Sequence, residues 1–250
     1  MILLFDVGNT NIVVGIVENN QIISTYRFIT NSNLTEDEYY AKLEPIIKGK
    51  SVDGIAISSV VPQVDQMIKV MSLKYFNITP IVVGPGVKSG IKIKLENPKQ
   101  LGADLLCDAV GAKLKYNNTC IIIDLGTASK FIVVNDKNEF LGGAISPGIL
   151  TSLTNMISSA AKLSNVNVEI PERVIGNDTQ ACIQSGIVYG FASMIDGMVK
   201  RIIDELKTDN YTIILTGGLS KIVKDVINIR YTYASNLLLE GLLSIYQRNK

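Results

Sequence analysis

The stretch LLFDVGNTNIVVGIVENNQII at residues 3–23 has a counterpart at residues 121–141, IIIDLGTASKFIVVNDKNEFL. Each begins with an apolar strand pattern that ends in an aspartate and a glycine turn, and each continues through two more strand-like runs. Aligned without gaps, the copies place Asp6 on Asp124 and Gly8 on Gly126, with hairpins of equal length. We therefore predict a duplication that gives two similar domains, residues 1–115 and residues 116–250.

Strands and helices alternate around these two copies. Thr35 followed by Glu38 is a capping-box pattern, residues 54–59 have the composition of a buried strand, and Pro62 suits the first turn of a helix. A long amphipathic helix is expected over residues 178–206. The sequence thus predicts an α/β fold in which mixed sheets are flanked by helices.

Gly186 and Gly190 lie four residues apart on this long helix. Small residues at that spacing allow another backbone to approach closely. We expect a tight packing contact there, either within the chain or between subunits.

The composition excludes several classes of catalytic mechanism and of binding partner. The chain of 250 residues has no histidine, which excludes Ser-His-Asp and Cys-His mechanisms and leaves proton transfer and ion binding to carboxylates or lysine. The formal net charge is +1 and there is no long basic run, so nucleic acid is not an expected partner. Cys107, Cys120 and Cys182 are widely spaced among apolar residues, which predicts reduced, buried thiols.

Neither a signal peptide nor a membrane span is expected. Met1 leads directly into a strand pattern without a basic region or a cleavage site. No apolar run approaches the roughly 18 uninterrupted residues that a membrane span needs. These features predict a cytoplasmic protein that does not bind a membrane.

The first glycine turn, Asp6 to Asn11, has the composition of a phosphate-binding hairpin. Its glycine lets backbone amides face a phosphate, and Thr10 and Asn11 can donate hydrogen bonds. Asp6, at the end of a buried strand, is suited to hold Mg²⁺ beside the terminal phosphates. A plain hairpin turn has the same composition, so this turn alone leaves both interpretations open.

The second turn, Asp124 to Ser129, repeats the pattern. Thr127 supplies the hydroxyl that is expected to face phosphate, and Asp124 is a second candidate cation ligand. Two such turns in duplicated domains predict a clamp on a nucleotide. A third turn, residues 216–218, could lie against adenine or ribose, where glycine avoids a side-chain clash.

Gly102, Ala103 and Asp104 open a predicted helix shortly after Pro98. Asp104 falls in the first turn, and Asp108 lies one turn further on the same face. A carboxylate there can accept a hydroxyl proton during attack on a γ-phosphate. Acids in the first turn also complement the helix dipole, so the spacing leaves both roles open.

Taken together, the motifs of the chain resemble those of the type III pantothenate kinases, nearly over its whole length and in the same order. The motifs are DVGNTN (6–11), ISSVVP (57–62), NPxxxGAD (97–104), DLGTAS (124–129), GGAISPGI (142–149), PERVIGNDT (171–179), QSG (184–186), TGG (216–218) and EGL (240–242). The resemblance implies duplicated actin/hexokinase-like (ribonuclease H-like) domains. It also implies ATP-dependent phosphorylation of pantothenate to 4′-phosphopantothenate, the first step of coenzyme A biosynthesis.

The resemblance further implies a homodimer, with the active site near the subunit interface, that uses Mg²⁺ and a monovalent cation, K⁺ or NH₄⁺. By position, Asp104 is the catalytic base, Asp124 binds the monovalent cation, and Thr179 reaches pantothenate from the partner subunit. The remaining pantothenate contacts are Leu95, Gly102, Ala103, Asp104 and Leu105. The ATP contacts are Asp6, Val7, Gly8, Asn9, Thr10, Asn11, Ile12, Val13 and Thr127.

Three positions depart from the pattern of that family. Leu105 replaces an arginine and Leu95 replaces a tyrosine, both of which help to hold pantothenate. The lost arginine contact could be worth about 1.5 to 3 kcal/mol. Lys130 stands where a small hydroxyl residue is usual, and it is expected either to stabilise transferred charge or to point to solvent.

These departures favour two alternatives to the kinase activity. The first is a nucleotide-binding regulatory homologue of the same fold that has lost pantothenate turnover. The second is a kinase for another small hydroxylated substrate that lacks a carboxylate.

Overall fold

A computed structural model describes residues 1–159 and 166–250, which form two compact units. The first unit comprises Met1–Lys115 together with Asn236–Lys250, and the second comprises Tyr116–Ser235. The units differ from the expected domains in one respect. The last helix returns to the first unit, because its apolar face packs on the helix that begins with Ala103.

The first unit is built on a mixed sheet of five strands. The strands are β1 (Ile2–Val7), β2 (Asn11–Glu18), β3 (Gln21–Ile29), β4 (Gly54–Ser59) and β5 (Ile81–Val82), in the order β3-β2-β1-β4-β5. β1, β2 and β3 form an antiparallel meander, whereas β4 and β5 run parallel to β1. A further short strand, β6, covers Lys92–Ile93.

Helices cover this sheet. α1 (Glu36–Ile47) begins with the predicted capping box of Thr35 and Glu38, and α2 (Pro62–Phe76) begins with proline in its first turn. Both pack against one apolar cluster of the sheet, and α3 (Ala103–Lys115) and the C-terminal helix (Leu237–Asn249) pack against another. Side chains of β1 alternate between the two faces of the sheet, so Leu3, Phe5 and Val7 join the first cluster and Leu4 joins the second.

The second unit repeats the arrangement. Its strands are β7 (Thr119–Leu125), β8 (Ala128–Val134), β9 (Glu139–Pro147), β10 (Tyr211–Thr216) and β11 (Thr232–Tyr233), in the order β11-β10-β7-β8-β9. β7, β8 and β9 form the meander, and β10 and β11 extend the sheet in parallel. Counted from the meander, the five strands follow the same order in both units, as the duplication predicts.

Two helices complete the second unit. α4 (Ile149–Ser158) was not predicted, whereas α5 (Thr179–Leu206) matches the long helix expected from the sequence and is capped by Asp178. Among the described residues, α5 alone is long and apolar enough to cross a membrane by length and composition, and a third of its most apolar window is buried inside the protein. The C-terminal helix is accordingly α6.

The predicted equality of the two hairpins is wrong by one residue. The last pair before the first turn is Val7 with Ile12, but before the second turn it is Leu125 with Ser129. Side chains alternate between the faces of a strand, so a one-residue difference changes which residue shares a face with the aspartate. As a result, Lys130 lies directly opposite Asp124.

Candidate active site

The first glycine turn is held in place by the end of β3. The amide of Gly8 donates to the carbonyl oxygen of Asn11 at 3.0 Å, and the hydroxyl of Thr30 donates to the carbonyl oxygen of Gly8 at 2.7 Å. The amide of Thr30 donates to the carbonyl oxygen of Thr10 at 3.0 Å. The backbone of the turn is thus fixed while the side chains of Asn9 and Thr10 are exposed.

Asp6 lies at the carboxyl end of β1 and is half-buried. It is paired with Val13 of β2 on one side and with Ser58 of β4 on the other. Val7 and Ile12 are each only 1% exposed, since their side chains belong to the core. Any ligand of this turn can therefore meet these two residues only through their backbone atoms.

The start of α3 is positioned by the Asn97-Pro98 pair. Asn97 caps a short 3-10 helix, Pro98–Gln100, by accepting a hydrogen bond from the amide of Lys99 at 3.3 Å. α3 follows at once, with half-buried Asp104 in its first turn as predicted. A Cβ atom on Gly102 would lie 2.5 Å from Oδ1 of Asp104, so a larger residue at position 102 would displace this carboxylate from its present position.

The buried thiol of Cys107 on α3 packs in one apolar cluster with Leu4 of β1 and Ala56 of β4. Burial raises the pKa of this thiol well above its ordinary value, the hydroxyl of Ser58 lowers it, and the charges of Asp6, Asp108 and Asp104 raise it further. A charge acts on the pKa of a neighbour only over a short range. Packing of α3 on β4, whose Ser58 pairs with Asp6, places Asp104 and Asp6 on elements that are in direct contact with the same strand.

α3 is held against α6 by two glycines. A Cβ atom on Gly111 would lie 2.2 Å from the carbonyl oxygen of Leu237, and one on Gly241 would lie 1.9 Å from that of Cys107. The helix backbones therefore touch where the EGL motif lies. This contact fixes the helix that carries Asp104.

The second glycine turn is held by the junction of β9 and α4. The carbonyl oxygen of Thr127 accepts hydrogen bonds from the amide of Gly148 at 3.1 Å and from the hydroxyl of Thr151 at 2.8 Å. A Cβ atom on Gly148 would lie 2.3 Å from the carbonyl oxygen of Gly126. The side chain of Thr127 is exposed, as a phosphate contact requires.

Lys130 does not point to solvent, because it forms an ion pair with Asp124 in the second unit. Its Nζ atom lies 2.6 Å from Oδ2 of Asp124, and the two side chains are 18% and 11% exposed. The third turn covers the other side of the carboxylate, since a Cβ atom on Gly217 would lie 2.5 Å from Oδ1 of Asp124. Gly217 has a φ of 91°, a conformation that favours glycine.

Thr179 is the first residue of α5 and is exposed. It lines a groove of about 690 Å³ on the second unit together with Met156, Cys182, Gly186 and Ile187. The preceding segment is attached to α5 through Tyr189, whose hydroxyl donates to the carbonyl oxygen of Pro171 at 2.9 Å.

Besides the pairing of Lys130 with Asp124, sequence reasoning missed two features of these sites. Thr30 was not identified, although its place directly after β3 would follow from the meander register. Cys107 and Cys120 are buried as predicted, but the prediction is wrong for Cys182, which is exposed because it lines the groove beside Thr179.

Solved structures with the same fold show low sequence identity to this chain. A protein of Campylobacter jejuni, described as a candidate Baf family transcriptional activator, aligns with a TM-score of 0.61 and 17% identity, covering 99% of this chain and 98% of that one. Component A of the (R)-2-hydroxyglutaryl-CoA dehydratase of Acidaminococcus fermentans aligns with a TM-score of 0.53 and 15% identity, covering 98% and 95%.

The repeated sheet order, with a glycine turn after an aspartate in each unit, defines an actin/hexokinase-like fold. The sequence profile of type III pantothenate kinase matches residues 2–201. A type III pantothenate kinase of Bacillus cytotoxicus is 38% identical over 254 aligned positions, which cover 100% of this chain and 97% of that protein. The chain belongs to the type III pantothenate kinase family.

Proposed function

We propose that this protein transfers the γ-phosphoryl group of ATP to the hydroxyl of pantothenate and forms 4′-phosphopantothenate, the first step of coenzyme A biosynthesis. Membership of the family supports the reaction. The observation that carries the proposal is that α3, with Asp104 in its first turn, packs on β4, the strand whose Ser58 is the register partner of Asp6.

Asp104 is the proposed catalytic base. Its carboxylate accepts the proton of the pantothenate hydroxyl as the oxygen attacks the γ-phosphorus. Gly102 and the α3–α6 contact keep this side chain at the start of a rigid helix. Positioning of this kind is the main demand of phosphoryl transfer, whose barrier is lowered mostly by orientation and charge neutralisation.

The proposed ATP contacts come from both glycine turns. In the first turn, Thr30 fixes the backbone and Asn9 and Thr10 are exposed to donate hydrogen bonds. In the second turn, the exposed hydroxyl of Thr127 faces phosphate. The full proposed set is Asp6, Val7, Gly8, Asn9, Thr10, Asn11, Ile12, Val13 and Thr127, with Val7 and Ile12 acting through their backbone.

The residues of the first unit fit a Mg²⁺ ion. Asp6 is half-buried at the end of β1, and among the described residues no group of three or more acidic, histidine or cysteine side chains is arranged to hold a metal alone. Mg²⁺ in kinases is commonly bound by one or two carboxylates plus the substrate phosphates. Mg²⁺ would supply charge neutralisation of the phosphates, with Asp6 holding it.

The residues around Asp124 do not fit a K⁺ or NH₄⁺ ion as the resemblance implied. The Asp124 carboxylate is already paired with Lys130 and is covered by the turn at Gly217. No step of the proposed reaction depends on a monovalent cation at this position.

Pantothenate is proposed to contact Gly102 to Leu105, Leu95 and Thr179. Leu95 and Leu105 are half-buried leucines where the family has a tyrosine and an arginine. The substrate carboxylate therefore lacks its usual bidentate partner, and a weaker affinity for pantothenate is expected.

A homodimer is proposed in which Thr179 of one subunit reaches the site of the other. Support comes from the exposed apolar side chains next to Thr179, Val174 at 65% and Ile175 at 87%. Exposed apolar side chains of this kind often mark protein interfaces. We also propose a cytoplasmic location for the enzyme.

The test is ADP release by the purified protein with ATP and Mg²⁺, with and without pantothenate. Release that depends on pantothenate supports the kinase. Binding of ATP without such release would refute it and favour the regulatory homologue. Release that needs another carboxylate-free alcohol would favour the second alternative.

A further inference from the structure

Lys130 and Asp124 form a short, sheltered ion pair on adjacent strands of the second unit. The two residues are direct partners in the antiparallel register of β7 and β8, so their side chains lie on the same face of the sheet. The Nζ to Oδ2 distance is 2.6 Å. The hairpin that is one residue shorter than its counterpart produces this pairing, whereas in the first unit the residue opposite Asp6 is Val13.

The shelter of this pair distinguishes it from surface ion pairs of the chain. The side chains of Lys130 and Asp124 are 18% and 11% exposed, whereas those of Lys50 and Lys74 in their pairs are 55% and 46% exposed. A carboxylate with so little access to water is costly to leave without a compensating positive charge. Lys130 supplies that charge from within the chain.

The pair also limits what else can bind to Asp124. The ammonium group is paired with Oδ2, and the turn at Gly217 approaches Oδ1 so closely that a Cβ atom there would lie 2.5 Å from it. A monovalent cation at this carboxylate would have to displace the ammonium or lie beside it. Two positive charges that contact the same carboxylate repel each other strongly in a sheltered site.

We propose that the Lys130 ammonium is a tethered substitute for the monovalent cation, and that this kinase needs neither K⁺ nor NH₄⁺. An ammonium group has the same charge as either ion and, like NH₄⁺, donates hydrogen bonds. Two experiments test this inference. The first, an activity arm, rests on the proposed function, whereas the second, a binding arm that measures melting temperature, is independent of that function.

The activity arm measures pantothenate-dependent ADP release in K⁺ and NH₄⁺ salts and in choline chloride at the same ionic strength. The wild type is expected to keep its rate within about twofold when both ions are replaced, less than 0.5 kcal/mol in barrier. Lys130→Ser is expected to lose about tenfold or more in choline, and K⁺ or NH₄⁺ should restore it. Lys137→Ser, an exposed lysine of the same meander, is the matched control and should behave as the wild type.

The binding arm measures the melting temperature against KCl, with choline chloride as the reference. A ligand that binds only the folded state raises the melting temperature, so Lys130→Ser should gain a K⁺-dependent rise that the wild type lacks. Lys130→Gln, which keeps more of the side chain, serves if the serine variant does not fold.

Loss of wild-type activity in choline, or a K⁺-dependent rise in the wild-type melting temperature, would overturn the inference. If the wild type shows no pantothenate-dependent release in any salt, the proposed function fails. The melting experiment still decides whether Lys130 occupies the cation position.

Discussion

At the scale of single residues, the proposed reaction depends on the carboxylate of Asp104 as proton acceptor. An amide in its place has nearly the same shape but cannot accept the proton. Asp104→Asn is therefore expected to lower kcat by about 10²- to 10⁴-fold, the usual contribution of a positioned base. Steady-state ADP release checks this, with an unchanged melting temperature to show that the fold is intact.

The control for this prediction is Asp136→Asn, which changes an exposed aspartate in the turn between β8 and β9. It should leave kcat unchanged. If Asp104→Asn retained most of the wild-type rate, Asp104 would instead be a first-turn residue that complements the helix dipole.

In the proposed site, Leu105 limits how tightly pantothenate can be held. It is half-buried in the first turn of α3, next to Asp104, where an arginine side chain can reach a bound carboxylate. Leu105→Arg is expected to lower the KM for pantothenate by roughly 10- to 150-fold, because a charge-assisted pair is worth about 1.5 to 3 kcal/mol. Leu105→Met, which adds no charge, is the control. An unchanged KM in the arginine variant would place the substrate carboxylate elsewhere.

The thiol of Cys107 makes stability depend on pH. Its pKa is raised mainly by burial, so above about pH 8.5 the unfolded chain releases this proton while the folded protein keeps it. Stability is therefore lost as the pH rises above the unfolded value, by up to about 1.4 kcal/mol per pH unit.

Urea denaturation of the wild type and of Cys107→Ala across this range tests the effect. The stability of the alanine variant should fall less steeply with pH, although its absolute stability is lower. Parallel curves for the two proteins would show that the thiol does not contribute to the slope.

At this scale, composition allowed the site to be predicted only in part. Asp6, Thr127 and Asp104 were candidates from the sequence because each stands in or beside a glycine turn or a helix start, and their roles stay predictions. The contact of Lys130 with Asp124 depends on strand register, which a one-residue difference in hairpin length changes. An ungapped comparison of the copies cannot detect that difference.

At the scale of elements, the contact between α3 and α6 decides where Asp104 lies. Gly241→Ala places a methyl group against the carbonyl group of Cys107, where the added Cβ would be 1.9 Å from the oxygen. The helices must move apart. Overpacking of this kind costs about 1 to 3 kcal/mol, and the urea midpoint should fall accordingly.

Gly84→Ala is the matched control for this substitution. Gly84 lies in the same unit, and within the described part of the chain a Cβ atom there would meet nothing within 4 Å. The urea midpoint of Gly84→Ala should differ little from that of the wild type. If the urea midpoints of the two variants were equal, α3 and α6 could move apart without a loss of stability. The EGL motif was part of the resemblance, but only the structure shows that its glycine permits this contact.

At the scale of the whole molecule, the duplication was predictable because the two meanders share both pattern and glycine turns. The return of α6 to the first unit was not, since an amphipathic C-terminal helix has the same sequence pattern whichever sheet it covers. The long helix α5 was predictable in extent. What its glycines contact was left open.

Those glycines form an open stripe on α5 that supports the proposed dimer. Gly186, Gly190 and Gly197 are all exposed and lie within about 40° of one another around α5 at 100° per residue. A Cβ atom on any of them would meet nothing within 4 Å among the residues that the structure describes. This stripe adjoins the groove beside Thr179, since Gly186 lines that groove.

Gly190→Leu is therefore expected to weaken the proposed dimer while leaving the fold of each subunit intact. Leucine favours a helix by up to about 1 kcal/mol over glycine, and a Cβ atom at Gly190 meets no described residue within 4 Å. A leucine side chain there would block the close approach of a second helix. Analytical ultracentrifugation should show a monomer at concentrations where the wild type is a dimer. Activity should fall in parallel if Thr179 acts across the interface.

The control is Glu205→Leu, which changes an exposed position roughly 100° around the helix from Gly186 and should remain dimeric. A dimeric Gly190→Leu variant with full activity would place the subunit contact on another surface.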